Sequence, residues 1–148
     1  WIFRAIIWRF LGMAMTLTIA IVTVGVTAAM AKGLLPGEGV NFIWAFFVSC
    51  AMNLSFGPAM MIFHRFTDTF LDMKYEKVGN ITVSSICNRI DWDGFYSFVI
   101  LKTVPFFWIP AHTIVFLLPA EYRVIAAAFL SIALGGILAF AKKKPKNN

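Results

Sequence analysis

Residues 94–119 read GFYSFVILKTVPFFWIPAHTIVFLLP. A helix needs about 20 apolar residues to cross roughly 30 Å of hydrocarbon, and this stretch meets that length. Lys102, Pro105, Trp108, Pro110 and His112 stand out within it as residues with more than apolarity to offer. Three more apolar runs surround it. The four predicted spans are residues 10–31, 40–64, 94–118 and 124–141.

Composition agrees. Of 148 residues, 60% are hydrophobic and only 14% charged, too few to cover a soluble domain of this size. The apolar residues come in runs rather than at helix or strand period, which points to lipid. The reading is an all-α membrane protein of four transmembrane helices, one domain over residues 1–148. Arg4 and Arg9 precede the first run as in a secretory signal. That run is too long for one, however, and no typical small-residue cleavage site followed by a soluble domain comes after it.

Run one is rich in Thr, Val and Ile, which favour strand in water. A lone strand in lipid leaves its backbone polar groups unpaired, so helix wins. Its threonines are expected to bond back to their own helix. In run two, Gly57-Pro58 is expected to kink the helix, because proline removes a donor and crowds the preceding turn. Ser49, Asn53 and Gly57 are spaced by four, as are His64, Asp68 and Asp72, and all six fall near one helical face. The stripe reads either as interhelical hydrogen bonding or as the lining of a cavity.

Residues 65–93 form the polar loop. Helix two is expected to run into it and stop at Gly79-Asn80. Ile81, Val83, Ile86 and Ile90 suggest a short amphipathic segment on the membrane surface. Asp91-Trp92-Asp93 offers a helix cap and an interfacial aromatic. Asn80-Ile81-Thr82 fits the glycosylation pattern but falls on the cytoplasmic side of the topology below. In run four, Ala127, Ser131, Gly135 and Ala139 repeat every four residues and form a small-residue face for close helix packing.

Orientation follows from Lys and Arg. Arg4, Arg9, Arg65, Lys74, Lys77, Arg89, Lys142, Lys143, Lys144 and Lys146 fall on one side of a four-span chain, and Lys32 and Arg123 on the other. Both termini and the 65–93 loop are therefore expected to be cytoplasmic, in a bacterial or organellar inner membrane. The lysine tail suits anionic headgroups rather than nucleic acid.

No nucleophilic, nucleotide or metal motif is present, so no enzyme, cofactor or metal is expected. Cys50 and Cys87 do not make a disulfide framework. Ionisable groups inside a membrane are candidate functional groups by default. The candidates are Asn53, His64, Asp68, Lys102 and His112. Lys102 lies roughly 12–13 Å along its helix at α-helical rise. It either snorkels to the headgroups, pairs with a group such as Asp68, or faces a water-filled path.

Two segments resemble a known family. Gly57-Pro58 followed by His64, Asp68 and Phe70 resembles the Gly-Pro and aromatic, Asp-containing helix end of the small peroxisomal and mitochondrial inner-membrane protein family. Trp108, Pro110-Ala111, Phe116, Pro119 and Tyr122-Arg123, ahead of a small-residue helix and basic tail, resemble its C-terminal signature. Run one has no counterpart of the family's Gly-Asp and Gln. The resemblance implies four membrane helices and a channel or permeability role. The function expected is a non-enzymatic channel or permeability pathway, with an accessory subunit packing on a larger membrane complex through its small-residue fourth helix as the alternative; a homo-oligomer or a larger membrane complex is the expected assembly.

Overall fold

In a computed structural model of the chain, residues 2–142 are described. The protein is all-helical, with no strand among these residues. Helix α1 is Ile2–Ala31, α2 Asn41–Tyr75, α3 Val83–Arg89, α4 Trp92–Leu117 and α5 Ala120–Lys142. Three stretches are long and apolar enough to cross a membrane: Arg9–Ala31, Asn41–Tyr75 and Trp92–Leu117. The sequence placed the start of α1 too late, at residue 10. Of the polar segment 65–93, eleven residues extend α2 to Tyr75, as the expected continuation of helix two required, and seven more form α3.

The helix ends explain these boundaries. α1 ends in a Schellman turn: Leu34 N–H donates to Ala29 O and Gly33 N–H to Met30 O, with Gly33 at φ 70°. α2 ends in the same turn. Val78 N–H donates to Met73 O and Lys77 N–H to Lys74 O, with Lys77 at φ 57°. The helix therefore stops before the expected Gly79-Asn80, and a lysine takes the left-handed position usually given to glycine. α3 opens with a capping box between Thr82 and Ser85. Asp91 caps α4 by accepting from Gly94 N–H at 2.9 Å.

Run one's threonines bond back as expected, Thr16, Thr18 and Thr27 each donating to the carbonyl four residues earlier. α2 remains one helix through Pro58. The main core gathers Val26 and Met30 of α1, Ala45, Val48 and Met52 of α2, and Phe116 of α4. A second cluster lies beyond the apolar part of α2, where Met73 packs on Ile86 and Ile90 with Phe66, Phe70, Ile81 and Trp92 around them. The apolar residues of the 81–90 segment thus cover the extension of α2, except Val83, which stays exposed. Arg89 and Glu76 pair at 2.6 Å across the same junction.

Among the described residues the helices pack in sequence as a row: α1 on α2, α2 on α4, and α4 on α5. α5 touches only the last third of α4, to which the Leu118-Pro119 turn ties it.

α4 is not a plain α-helix. Phe95–Trp108 winds as π-helix between two α-helical ends. Ile109 N–H donates to Val104 O, and Thr103 Oγ1 to Phe98 O at 3.0 Å, both five residues back. Pro105 and Pro110 are also five apart. Pro105 lies within the π stretch, where its missing donor falls above Ile100, and Pro110 stands in the first turn of the α-helical end, where a donor is least missed. The α-helical rise used to place Lys102 from the sequence therefore does not apply, since π turns advance less per residue.

Candidate functional site

The α2–α4 seam holds a polar centre. Ser49, Asn53 and Thr113 are the buried polar residues among those described, at 0%, 3% and 3% exposure. Spacing by four puts Ser49 and Asn53 on one face of α2. The Asn53 amide donates to Ser49 O at 2.8 Å and Ser49 Oγ at 3.2 Å. Its Oδ1 is then left to accept from His112 Nδ1–H, 3.1 Å away on α4. Ser49 Oγ in turn donates to Ile109 O at 2.7 Å, a carbonyl that also accepts from Thr113 Oγ1 at 2.7 Å.

The bonds run in one direction, from His112 to Asn53, from Asn53 to Ser49 and from Ser49 to the Ile109 carbonyl, one turn before His112. With Nδ1 donating, a neutral imidazole leaves Nε2 as its acceptor. Trp108 stacks on the His112 ring, with centroids 5.2 Å apart and planes at 21°. Phe116 stands on its other flank at 6.5 Å. No buried side-chain polar atom among the described residues lacks a partner.

Of the expected site residues, the structure brings together Asn53 and His112. His64 and Asp68 sit further along α2, about 16 Å and 22 Å from Asn53 at helical rise. His64 is half-buried and Asp68 exposed. Lys102 is exposed on the π-helical part of α4, and no hydrogen bond or ion pair ties it to a described residue. Gly57 is buried on the α2 stripe, and Asp72, beyond the apolar part, is exposed.

On α5, Gly135 is exposed, and nothing lies within 4 Å of where a Cβ would stand on Gly135 or Gly136. Ala127 is half-buried. The side chains of Ser131 and Ala139, and the tail residues Lys143, Lys144 and Lys146, lie outside the described ones. Cys50 and Cys87 are free thiols. Among the described residues no three His, Cys, Asp or Glu side chains gather as a metal site would require.

Sequence reasoning missed the Ile109 carbonyl, Thr113 and the role of Arg123. Arg123 donates to Leu118 O at 2.9 Å and Phe116 O at 3.1 Å, and its guanidinium lies 5.8 Å from the Phe116 ring centroid. It thus closes the C-terminus of α4, where a cation also suits the helix dipole. Its place four residues past a Leu118-Pro119 stop was the available signal.

Comparison with family models, curated proteins and solved structures finds no match for this chain.

Proposed function

We propose that the chain is a multi-pass integral membrane protein that acts without catalysis, as part of a permeability pathway assembled from several copies. The observation that carries this is Lys102. An exposed ammonium partway along a spanning helix, with no partner among the described residues, is costly in lipid. A water-filled path between copies relieves that cost. The α2–α4 polar centre does not supply such a path within one copy, because its groups are buried and already satisfy each other. In this reading the centre is the fastening that holds the Lys102-bearing helix in place.

In the same reading α5 is a fourth span, both termini and the α3 region face the cytoplasm, and the basic tail lies on anionic headgroups of an inner membrane. The resemblance of residues 57–70 and 108–123 to the small peroxisomal and mitochondrial inner-membrane family points the same way.

The test is flux of small ions and solutes through liposomes containing the purified chain. Lys102→Met is expected to remove most of the flux or reverse its charge preference. Unchanged flux from a correctly inserted variant would sink the proposal.

The α5 face favours a second reading, an accessory subunit seated on a larger complex. The open space at Gly135 and Gly136 is what a closely packed neighbouring helix requires. Native mass analysis after gentle extraction separates the two: copies of this chain alone support the first reading, and a stable foreign subunit the second.

A further inference from the structure

At the end of α1 and α2 opposite the α3 cluster, the chain encloses a cleft of about 320 Å³, at the lower end of the size range of ligand sites. Met30 and Trp44 give it apolar walls, and Thr27, Glu38 and Asn41 supply polar groups. Glu38 is the only charged residue among those lining it.

Thr27 and Trp44 are tied to each other, and the backbone of Glu38 is set by its turn. Trp44 Nε1 donates to Thr27 Oγ1 at 3.0 Å, and Thr27 donates back to Thr23 O at 2.8 Å. Glu38 sits between Gly37 and Gly39, at φ 85° and 79°, in a turn closed by Val40 N–H on Gly37 O at 3.0 Å. A Cβ on Gly37 would overlap Ile43, so this turn is seated against α2. Gly39 leaves the wall beside Glu38 open, with nothing within 4 Å of a Cβ there. Around the cleft, Val24, Leu34 and Phe42 are exposed apolar residues near the ends of two spanning helices.

We infer that this cleft binds the ammonium headgroup of a zwitterionic phospholipid. The carboxylate of Glu38 receives the ammonium, the aromatic wall of Trp44 stabilises the cation, and the acyl chains run down the exposed apolar faces of α1 and α2. A single carboxylate with no cation in the lining selects against anionic headgroups. The inference rests on the membrane reading of the chain and is independent of whether it conducts.

The experiment is a native mass titration of the full chain in mild detergent with phosphatidylethanolamine and with phosphatidylglycerol of the same acyl chains. Phosphatidylethanolamine is expected to be retained about tenfold better. Glu38→Gln should remove that preference and Glu38→Lys reverse it, with helix content by circular dichroism unchanged because Glu38 is an exposed turn residue. Equal retention of both lipids by the unaltered chain, or a preference that survives Glu38→Gln, would overturn the inference. Displacement of the lipid by an equal concentration of glycerophosphoethanolamine would overturn the lipid assignment, since the headgroup alone would then be the ligand. Liposome flux is a separate readout, so failure of the permeability proposal leaves this result standing.

Discussion

Lys77 is the one non-glycine residue with a positive φ among the described residues. A left-handed conformation costs an L-residue about 1–2 kcal/mol, and glycine's extra freedom when unfolded returns part of that gain. Lys77→Gly is therefore expected to stabilise the end of α2 by about 0.5–1 kcal/mol. Slower amide exchange at Lys77 and Val78 would show it; faster exchange would contradict it. Gly33 occupies the equivalent position of α1, so Gly33→Ala should act in the opposite direction. At the polar centre, Asn53→Ala and His112→Ala should each loosen α2 from α4. Their double-mutant cycle in detergent unfolding should show a coupling of about 1 kcal/mol, and a coupling near zero would mean that the 3.1 Å bond contributes nothing. At this scale the sequence was partly legible. Ser49 and Asn53 announce a buried polar face by their spacing, and the polar residues of that face closest to α4 are the buried ones. Their partners were not legible, because meeting His112 and the Ile109 carbonyl depends on the register of α4 against α2.

That register is set at the scale of the element. Pro105 sits inside the π stretch and withholds one donor from its ladder, while Pro110 opens the α-helical end. Pro105→Ala restores one N–H and should return part of Phe95–Trp108 to α-helix. The change would turn Lys102 about the helix axis relative to the Ser49–His112 seam. Backbone chemical shifts in bicelles would report it as altered carbonyl shifts over residues 98–106. Shifts confined to the substituted residue and its immediate neighbours would count against this account. Element existence was plain from the apolar runs, and the Asp91 cap was plain from its residue type. The π winding was not, because periodicity over one 26-residue span does not separate turns of slightly different width. The end of α2 was misjudged because a glycine signal at residue 79 outweighed, on paper, a lysine that the Schellman hydrogen bonds hold in glycine's conformation.

The whole molecule is a row of helices with large exposed apolar faces. Phe10, Met13, Leu17, Ile21 and Val24 are exposed along α1. If the row closes by self-association, the chain should migrate as a discrete oligomer after gentle extraction. A bulky change at the open face, Gly135→Leu, should then shift it toward monomer, and an unchanged oligomer would remove α5 from the interface. The sequence made legible, through composition and apolar runs, that the chain has helices long and apolar enough to cross a membrane. It did not show the row, since apolar runs say that a helix is buried in something without saying whether that is lipid or its own chain.

One feature of this row bears on mechanics. The 35 residues of α2 make a continuous helix about 52 Å long, against roughly 30 Å of hydrocarbon. That leaves about 20 Å of α2 in excess of such a thickness, and its C-terminal part is fastened to α3 through Met73, Ile86 and Ile90. A helix answers a thinner bilayer by tilting. At a fixed pivot, about 10° of tilt swings the far tip by some 3–4 Å, carrying α3 with it. If α2 crosses a bilayer, that swing would couple the position of α3 to bilayer thickness. Spin labels on Tyr75 and on the α1–α2 turn should report that swing between short-chain and long-chain lipids, and identical distances in both would show that the tip does not move.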